Sequence, residues 1–332
     1  MGLLMKINFQ TLTAAGCLTI SAACAATPNT ATDPDRQHTV KSLKVTILST
    51  MLADTGIGEW GFSALIEADE NRILFDAGNR PDTVLKNADE LNVDLTDIAH
   101  VLLSHNHFDH TGGLLPLRRA LSPKNEIALS TAHVGDAMFA QRKTGDGKPI
   151  ENMINMKAPY EAAGGTFIKH RHPHQLFPGV WITGPIPRTH PERNWFGSGT
   201  VKIQDGWVED NVPEELALVI HTDKGLVVIT GCAHAGTVNT VEYAQKLFAN
   251  APVHALIGGM HLLAASDQTL DWTGRKLRAA KLQHLLGAHC TGLEAVYQLR
   301  RSAGLTRKTA LVAAVGSSFT LHKGIDPLKL AR

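Results

Sequence analysis

The segment Ser104-His-Asn-His-Phe-Asp-His110 sets His105, His107, Asp109 and His110 within six residues, after an apolar run from Ile98 to Leu103 and before Thr111-Gly-Gly113. Imidazole and carboxylate at this density are the donors a transition metal takes. They suit Zn²⁺, with Mn²⁺ or Fe as alternatives. If strand geometry carries on through the histidines, alternation aims His105 and His107 the same way, to grip one metal, while Asp109 and His110 turn toward a second. A solvated, histidine-rich loop is the bland alternative. Four ligand side chains at the mouth of a buried strand weigh against it. The chain as a whole carries 17 histidines and only three tyrosines, so imidazole is in excess.

The elements around this cluster must place it. With 332 residues, 43% of them hydrophobic, the chain can bury the core of one large α/β domain. Lys+Arg number 32 against Asp+Glu 31, for a net charge of +1, which leaves no electrostatic footprint for nucleic acid or an anionic membrane. Residues 1–26 read as an export signal: one early charge at Lys6, an apolar or small stretch from Leu12 to Ala26, and Ala23-Cys24-Ala25 as a small-x-small cleavage site. Residues 27–43 read as a polar linker, giving a periplasmic or secreted domain over 44–322 and a tail at 323–332. Lipidation at Cys24 is the minor alternative, since Ser21 stands where a lipobox carries leucine. Cys232 and Cys290 remain in the mature chain, as a disulfide or as site residues.

Strand-like runs fall at Val45–Leu48, Phe62–Glu67, Ile73–Phe75, Ile98–Leu103, Val180–Thr183, Leu216–His221, Leu226–Thr230, Val253–Ile257 and Ala310–Val315. Helical spacing falls at Pro81–Leu91, from Thr111 onward, at Thr237–Phe248 and at Thr273–Leu286. The stretch 137–165, with its methionines and Gly145-Asp-Gly147, reads as an insertion or lid rather than sheet. Strands that first dominate and then alternate with helices, in both halves, imply two sheets face to face with helices outside: an α/β (α+β) four-layer αββα sandwich.

The Ser-His-Asn-His-Phe-Asp-His-Thr-Gly-Gly run resembles the signature of the metallo-β-lactamase superfamily. Further blocks resemble, in order, one branch, named for the dihydropterin ribofuranosyl-aminobenzene phosphate synthase. They are Ile73-Leu-Phe-Asp-Ala-Gly78, Thr183-Gly-Pro-Ile-Pro-Arg188, Thr230-Gly-Cys-Ala-His234, Gly258-Gly-Met-His-Leu262 and His289-Cys-Thr-Gly292. The resemblance implies that Asp76 orients the metal-binding loop and that His234 and His289 complete a centre of two zinc ions. It implies an acidic residue shortly after the Pro-Arg, which Glu192 fills toward substrate, and leaves His261 as ligand or substrate contact. Arg188, at the site's edge, reads as a binder of an anionic substrate or as a surface ion-pair residue. Many superfamily members bridge their metals with an aspartate after Thr-Gly; Cys232 stands here, as a thiolate ligand or a buried inert thiol. His190 reads as a rim residue or a further ligand. His170-Arg-His-Pro-His174 reads as a solvated loop, because proline interrupts it and no acid accompanies it.

The resulting expectation is a hydrolase that turns metal-activated water on a small-molecule substrate, an ester, lactone, amide or phosphoester, with Asp109 as ligand and proton relay. A group transferase like the enzyme that names the branch, or a metal-retaining binding protein without chemistry, are the alternatives.

Overall fold

The computed structural model describes residues 37–194 and 197–329. The export signal expected at 1–26 and most of the linker lie outside the described residues. In chain order, β1 (Leu43–Ser49), β2 (Ser63–Ala68) and β3 (Asn71–Phe75) form an antiparallel meander. Then come α1 (Thr83–Glu90), β4 (His100–Leu102), α2 (Phe108–Thr111), α3 (Leu114–Leu121), β5 (Thr131–Gly135), β6 (Arg142–Lys143), β7 (Pro149–Ile150) and α4 (Asn152–Ala162). They are followed by β8 (Thr166–His170), β9 (His174–Phe177), β10 (Val180–Ile182), β11 (Thr200–Ile203), β12 (Gly206–Glu209), β13 (Ala217–Thr222), β14 (Gly225–Thr230) and α5 (Thr237–Leu247). The chain closes with β15 (Val253–Gly258), α6 (Asp267–Ala279), β16 (His284–Gly287), α7 (Leu293–Ser302), β17 (Ala310–Val312), β18 (Ser318–Thr320) and β19 (Gly324–Asp326).

These strands make an eight-stranded sheet ordered β19-β18-β1-β2-β3-β4-β5-β8 and a seven-stranded sheet ordered β17-β16-β15-β14-β13-β10-β9. Strand alternation sorts the side chains into three apolar layers. Val45, Ile47, Ala64, Ile66, Ile73 and Phe75 face Val227, Ile229, Ala255 and Ile257 between the sheets. Their alternating neighbours Leu48, Leu65 and Leu74 pack outward on α1, α3 and α4 through Val84, Leu117 and Tyr160. On the far side Leu226, Val228 and Leu256 pack on α5, α6 and α7 through Val241, Leu277 and Leu299. This is the four-layer αββα sandwich. Strands apolar on both faces can exist only in its middle layers.

Several local expectations need correction. The helix read over Thr273–Leu286 is α6, which ends at Ala279, followed by strand β16. Lys281 turns the chain at φ +62°, and Leu285 and Leu286 then enter the two apolar layers on opposite faces of a strand held between β15 and β17. The tail expected from 323 is instead partly strand: β19 extends the first sheet beyond β18. The stretch 137–165 also forms sheet. β6 and β7 join β11 and β12 in a small four-stranded sheet, and α4 buries Met153 and Tyr160 in the outer core. Short polar strands of this kind carry no alternation long enough to detect.

His170, read as part of a solvated loop, is buried at the end of β8. It belongs to a column of imidazoles at the sheet edge: His100 Nδ1 lies 3.0 Å from His133 Nε2, and His133 Nδ1 lies 2.9 Å from His170 Nε2. Burial, then the neighbouring imidazoles, lower His133 to about 3 and His170 to about 4. Both therefore stay neutral when folded while an unfolded chain protonates near 6.5. Stability that is complete above pH 6.5 is lost as pH falls toward those lower values. At about 1.4 kcal/mol per unit, His133 alone should remove on the order of 2 kcal/mol by pH 5. Melting temperature against pH should fall more gently in His133→Gln than in the native chain; parallel curves would refute the assignment.

Candidate metal centre

Parallel strands of both sheets deliver their carboxyl ends to one edge of the sandwich, which is where α/β sheets place their sites. Asp76 follows β3, the histidine segment follows β4, Cys232 and His234 follow β14, His261 follows β15, and His289 follows β16. β4 stops at Leu102, so His105 and His107 lie on the loop beyond it and not on a strand as expected. The loop still turns their rings together, with His105 Nε2 3.0 Å from His107 Nδ1. Asp109 and His110 sit on α2, with His107 as its N-cap.

The donors converge. His105, Cys232 and His234 offer atoms within 4.8 Å of one another, and so do His110, Cys232 and His289. His107 completes the first group, its ring centroid 4.5 Å from that of His105 and 4.9 Å from that of His234. Asp109 stands at the second group, Oδ2 3.2 Å from His289 Nε2 and 3.9 Å from His110 Nε2. His289 Nδ1 is buried without a hydrogen bond among the described residues. Leaving a buried polar atom unmade costs about 1–3 kcal/mol, and a cation relieves that cost. The donor set of imidazole, carboxylate and thiol fits a divalent metal of the zinc type.

The protonation of these groups suits that occupant. Burial and crowding by neighbouring imidazoles hold His105 and His234 well below the usual histidine range. Burial likewise takes His107 to about 3, although Asp109 opposes it. Burial resists ionisation of Asp109, but His110 and His289 outweigh it and keep the carboxyl well below its ordinary value. His110 differs. Burial works against its charge, yet the carboxylates of Asp76 and Asp109 raise it to about 9.

Asp76 is the hub behind the ligands. Its Oδ1 accepts from the Ser104 N–H at 2.7 Å, and its Oδ2 accepts from Ser104 Oγ at 2.8 Å and faces His110 Nδ1 at 2.7 Å. Because the Ser104 hydroxyl donates to Asp76, its oxygen accepts from the Nδ1–H of His105 at 2.9 Å. His234 Nδ1–H donates to Asn194 O at 2.7 Å. Each contact fixes a tautomer and leaves Nε2 for the centre, as in metal sites whose outer partners orient the ligands.

The residues that hold the two ligand loops had no signal in the sequence. Glu214 and Glu215, consecutive and fully buried ahead of β13, each grip one loop. Glu214 accepts the Asn106 N–H at 3.1 Å, while Glu215 accepts the His234 N–H at 2.7 Å and the Ala235 N–H at 2.6 Å. Arg142 from β6 compensates Glu214 and donates to Asp210 at 3.0 Å. Arg188, expected at substrate, instead braces this loop from behind by donating to His234 O at 2.8 Å and to Asn211 O. Glu192, also expected at substrate, accepts the Val238 and Asn239 N–H groups at the start of α5. His190 pairs with Glu242 at 2.8 Å, away from the centre. His261 closes on the first group, its ring 4.7 Å from that of His234. Glu215→Gln retains one acceptor oxygen and loses the charge that faces Arg188. Metal affinity measured by chelator competition should fall by about 10–100-fold; unchanged affinity would show that the loop holds without it.

The centre opens into a cleft of about 680 Å³. Trp60, whose ring lies 4.8 Å from that of His289, and the exposed Phe108 give it aromatic walls. Arg142, Thr144 and Ile150 of the stretch read as a lid form another wall.

The fold and this centre make the chain a member of the metallo-beta-lactamase superfamily, whose family model matches residues 61–246. Within it, the chain is similar to the 7,8-dihydropterin-6-methyl-4-(beta-D-ribofuranosyl)-aminobenzene-5'-phosphate synthase of Methanocaldococcus jannaschii, at 32% identity over 77% of this chain and 90% of that one. An uncharacterised protein of the same organism is also 32% identical, over 72% of this chain and 86% of its own length. Among solved structures, Tm1679, a metal-dependent hydrolase of the beta-lactamase superfamily, superposes with a TM-score of 0.67 at 26% identity, covering 83% of this chain and 98% of that one. Zn²⁺-bound PqqB from Methylobacterium extorquens shares the fold at a TM-score of 0.51 and 15% identity, over 83% and 99% of the two chains.

Proposed function

We propose that the protein is a metal-dependent hydrolase of a small-molecule ester, lactone, amide or phosphoester. The observation that carries this reading is the convergence of His105, His110, His234 and His289 on Cys232, at the base of a cleft that His107, Asp109, Cys232 and His289 line. Zinc, as two ions, is the occupant the donors suit best: His105, His107 and His234 would hold one, and His110, His289 and Asp109 the other, with Cys232 between them. A divalent ion there supplies Lewis acidity toward a carbonyl or phosphoryl oxygen and acidifies the water it holds.

The chain's own residues do the rest. Asp76 retains a proton at His110 Nδ1 and, through Ser104, at His105 Nδ1, so both ligands stay in one tautomer throughout turnover. Asp109, ionised and partly open to the cleft, is placed to take a proton at Oδ2 and return it to a leaving group. Trp60 and Phe108 supply flat apolar walls that orient a ring or acyl group and exclude water. Identity to the synthase supports a second reading, group transfer to an organic acceptor at the same centre.

The two readings separate in ¹⁸O-labelled water. Metal-loaded protein supplied with a panel of esters, lactones, amides and phosphoesters should release a product carrying the label, without any second substrate. Turnover that starts only when an organic acceptor is added, and leaves product unlabelled, would establish transfer instead.

A further inference from the structure

Cys232 and Cys290 come from the ends of β14 and β16, the two strands that flank β15. Their thiols nonetheless meet, Sγ to Sγ at 3.2 Å, and both are buried and free of a disulfide. The end of β15 lets them do so because it is Gly258-Gly259. A Cβ on Gly259 would stand 2.0 Å from Gly231 O and 3.0 Å from Cys290 Sγ, so a side chain there would crowd the β14 end and displace Cys290 Sγ. Two residues on, His261 is held at φ +46°, a left-handed conformation that non-glycine residues adopt only under constraint from their surroundings. That turn lets its backbone N–H donate to Cys290 Sγ at 3.2 Å and brings its ring nitrogen to the sulfurs. Cys232 Sγ also lies 3.1 Å from His110 Nε2.

We propose that Cys232, Cys290 and His261 form a thiolate-rich cation site on the inner wall of the centre, which makes the protein select a thiophilic ion (Zn²⁺, Cd²⁺ or Cu⁺) over Mn²⁺ or Mg²⁺. The three donor atoms lie within 4.8 Å of one another. Zinc–sulfur bonds of about 2.3 Å and zinc–nitrogen bonds of about 2.0 Å require donors separated by about 3.5–3.8 Å in a tetrahedron, so modest side-chain adjustment closes the set. Two buried thiols gain little from each other, because S–H is a weak donor and sulfur a weak acceptor. As thiolates facing one cation they are both satisfied, each releasing its proton to solvent on binding. Thiolate donors prefer zinc, cadmium and cuprous ions, whereas manganese and magnesium prefer oxygen. Because Cys232 also belongs to both histidine groups, this preference extends to the whole centre.

The inference rests on the metal-centre reading, and cobalt distinguishes the two. Chelator-stripped full-length protein is titrated with Co²⁺, recording the visible ligand-field bands, which any donor set produces, and the near-ultraviolet thiolate-to-cobalt band, which only sulfur produces. The native chain should show both. Cys290→Ser should keep the visible bands and lose about half of the near-ultraviolet intensity, and Cys232→Ser with Cys290→Ser should lose it all; melting curves verify that each variant is folded. The intensity per bound cobalt in the native chain counts the thiolates without recourse to a variant. Visible bands with no near-ultraviolet band, or a band unchanged in folded Cys290→Ser, would overturn the thiolate site and leave the histidine centre standing. A protein that takes up no cobalt at all would overturn both.

Discussion

Replacing His107 by alanine should remove bound metal and hydrolytic turnover together. The His107 ring lies beside those of His105 and His234, and burial keeps it neutral and ready to donate. Alanine deletes one donor of that group and opens a path for solvent from the cleft. The transition-state charge a metal stabilises is worth several kcal/mol. A loss of about 4 kcal/mol corresponds to roughly a 10³-fold fall in kcat/KM. Stability should change little by comparison, because His107 faces the cleft rather than a packed core, so the melting temperature of stripped native and variant proteins should nearly coincide. Elemental analysis of the purified variant beside its kinetics decides the matter. A variant that turns over without metal would sink the hydrolytic reading.

Asp76 should show the reverse balance, with stability and metal affinity both falling. Its carboxylate receives the Ser104 N–H and Oγ–H and faces His110 Nδ1, all fully buried. Asp76→Ala orphans these groups at about 1–3 kcal/mol each. It also places alanine at φ +54°, which aspartate and asparagine tolerate better. A loss of about 3–5 kcal/mol is expected, enough to threaten folding. Asp76→Asn is the sharper probe, because it keeps the backbone conformation and an acceptor for Ser104 but loses the charge on His110. His110, raised to about 9 chiefly because Asp76 and Asp109 overcome its burial, should then titrate lower. The linkage has a definite sign. With its folded value above the unfolded 6.5, His110 adds stability to the metal-free protein below pH 6.5, and this is lost as pH rises toward about 9. In metal-free Asp76→Asn that decline should flatten, while metal affinity falls by about 10–100-fold. A metal-free native chain equally stable at pH 6.5 and 9 would contradict the ion pair.

The gross fold was legible because its physics is local. Runs such as Ile73-Leu-Phe75 and Leu226–Thr230 are apolar on both faces, and only a sheet covered twice can hold them. Leu282–Leu286 defeated the same reading. A short apolar stretch fits a buried helix or a buried strand, and the neighbours β15 and β17 made the choice. The polar strands β6, β7, β11 and β12 left no pattern, since β12 is exposed throughout and holds its place by pairing with β11.

The site divides along the same line. Sequence alone determined the cluster from Ser104 to His110, because donors a few residues apart must share a neighbourhood whatever the rest of the chain does. Tertiary structure decided which distant groups join them. Strand order carries the ends of β14, β15 and β16 to the edge where β3 and β4 end, and there Cys232, His234, His261 and His289 meet the loop. It also gave Arg188 and Glu192 to the loop behind His234 and the start of α5, buried His170 in an imidazole column, and set Glu214 and Glu215 under the two ligand loops. An arginine or glutamate has the same chemistry at substrate as at a buried amide. Only the neighbours a fold brings within hydrogen-bonding reach determine which role it takes.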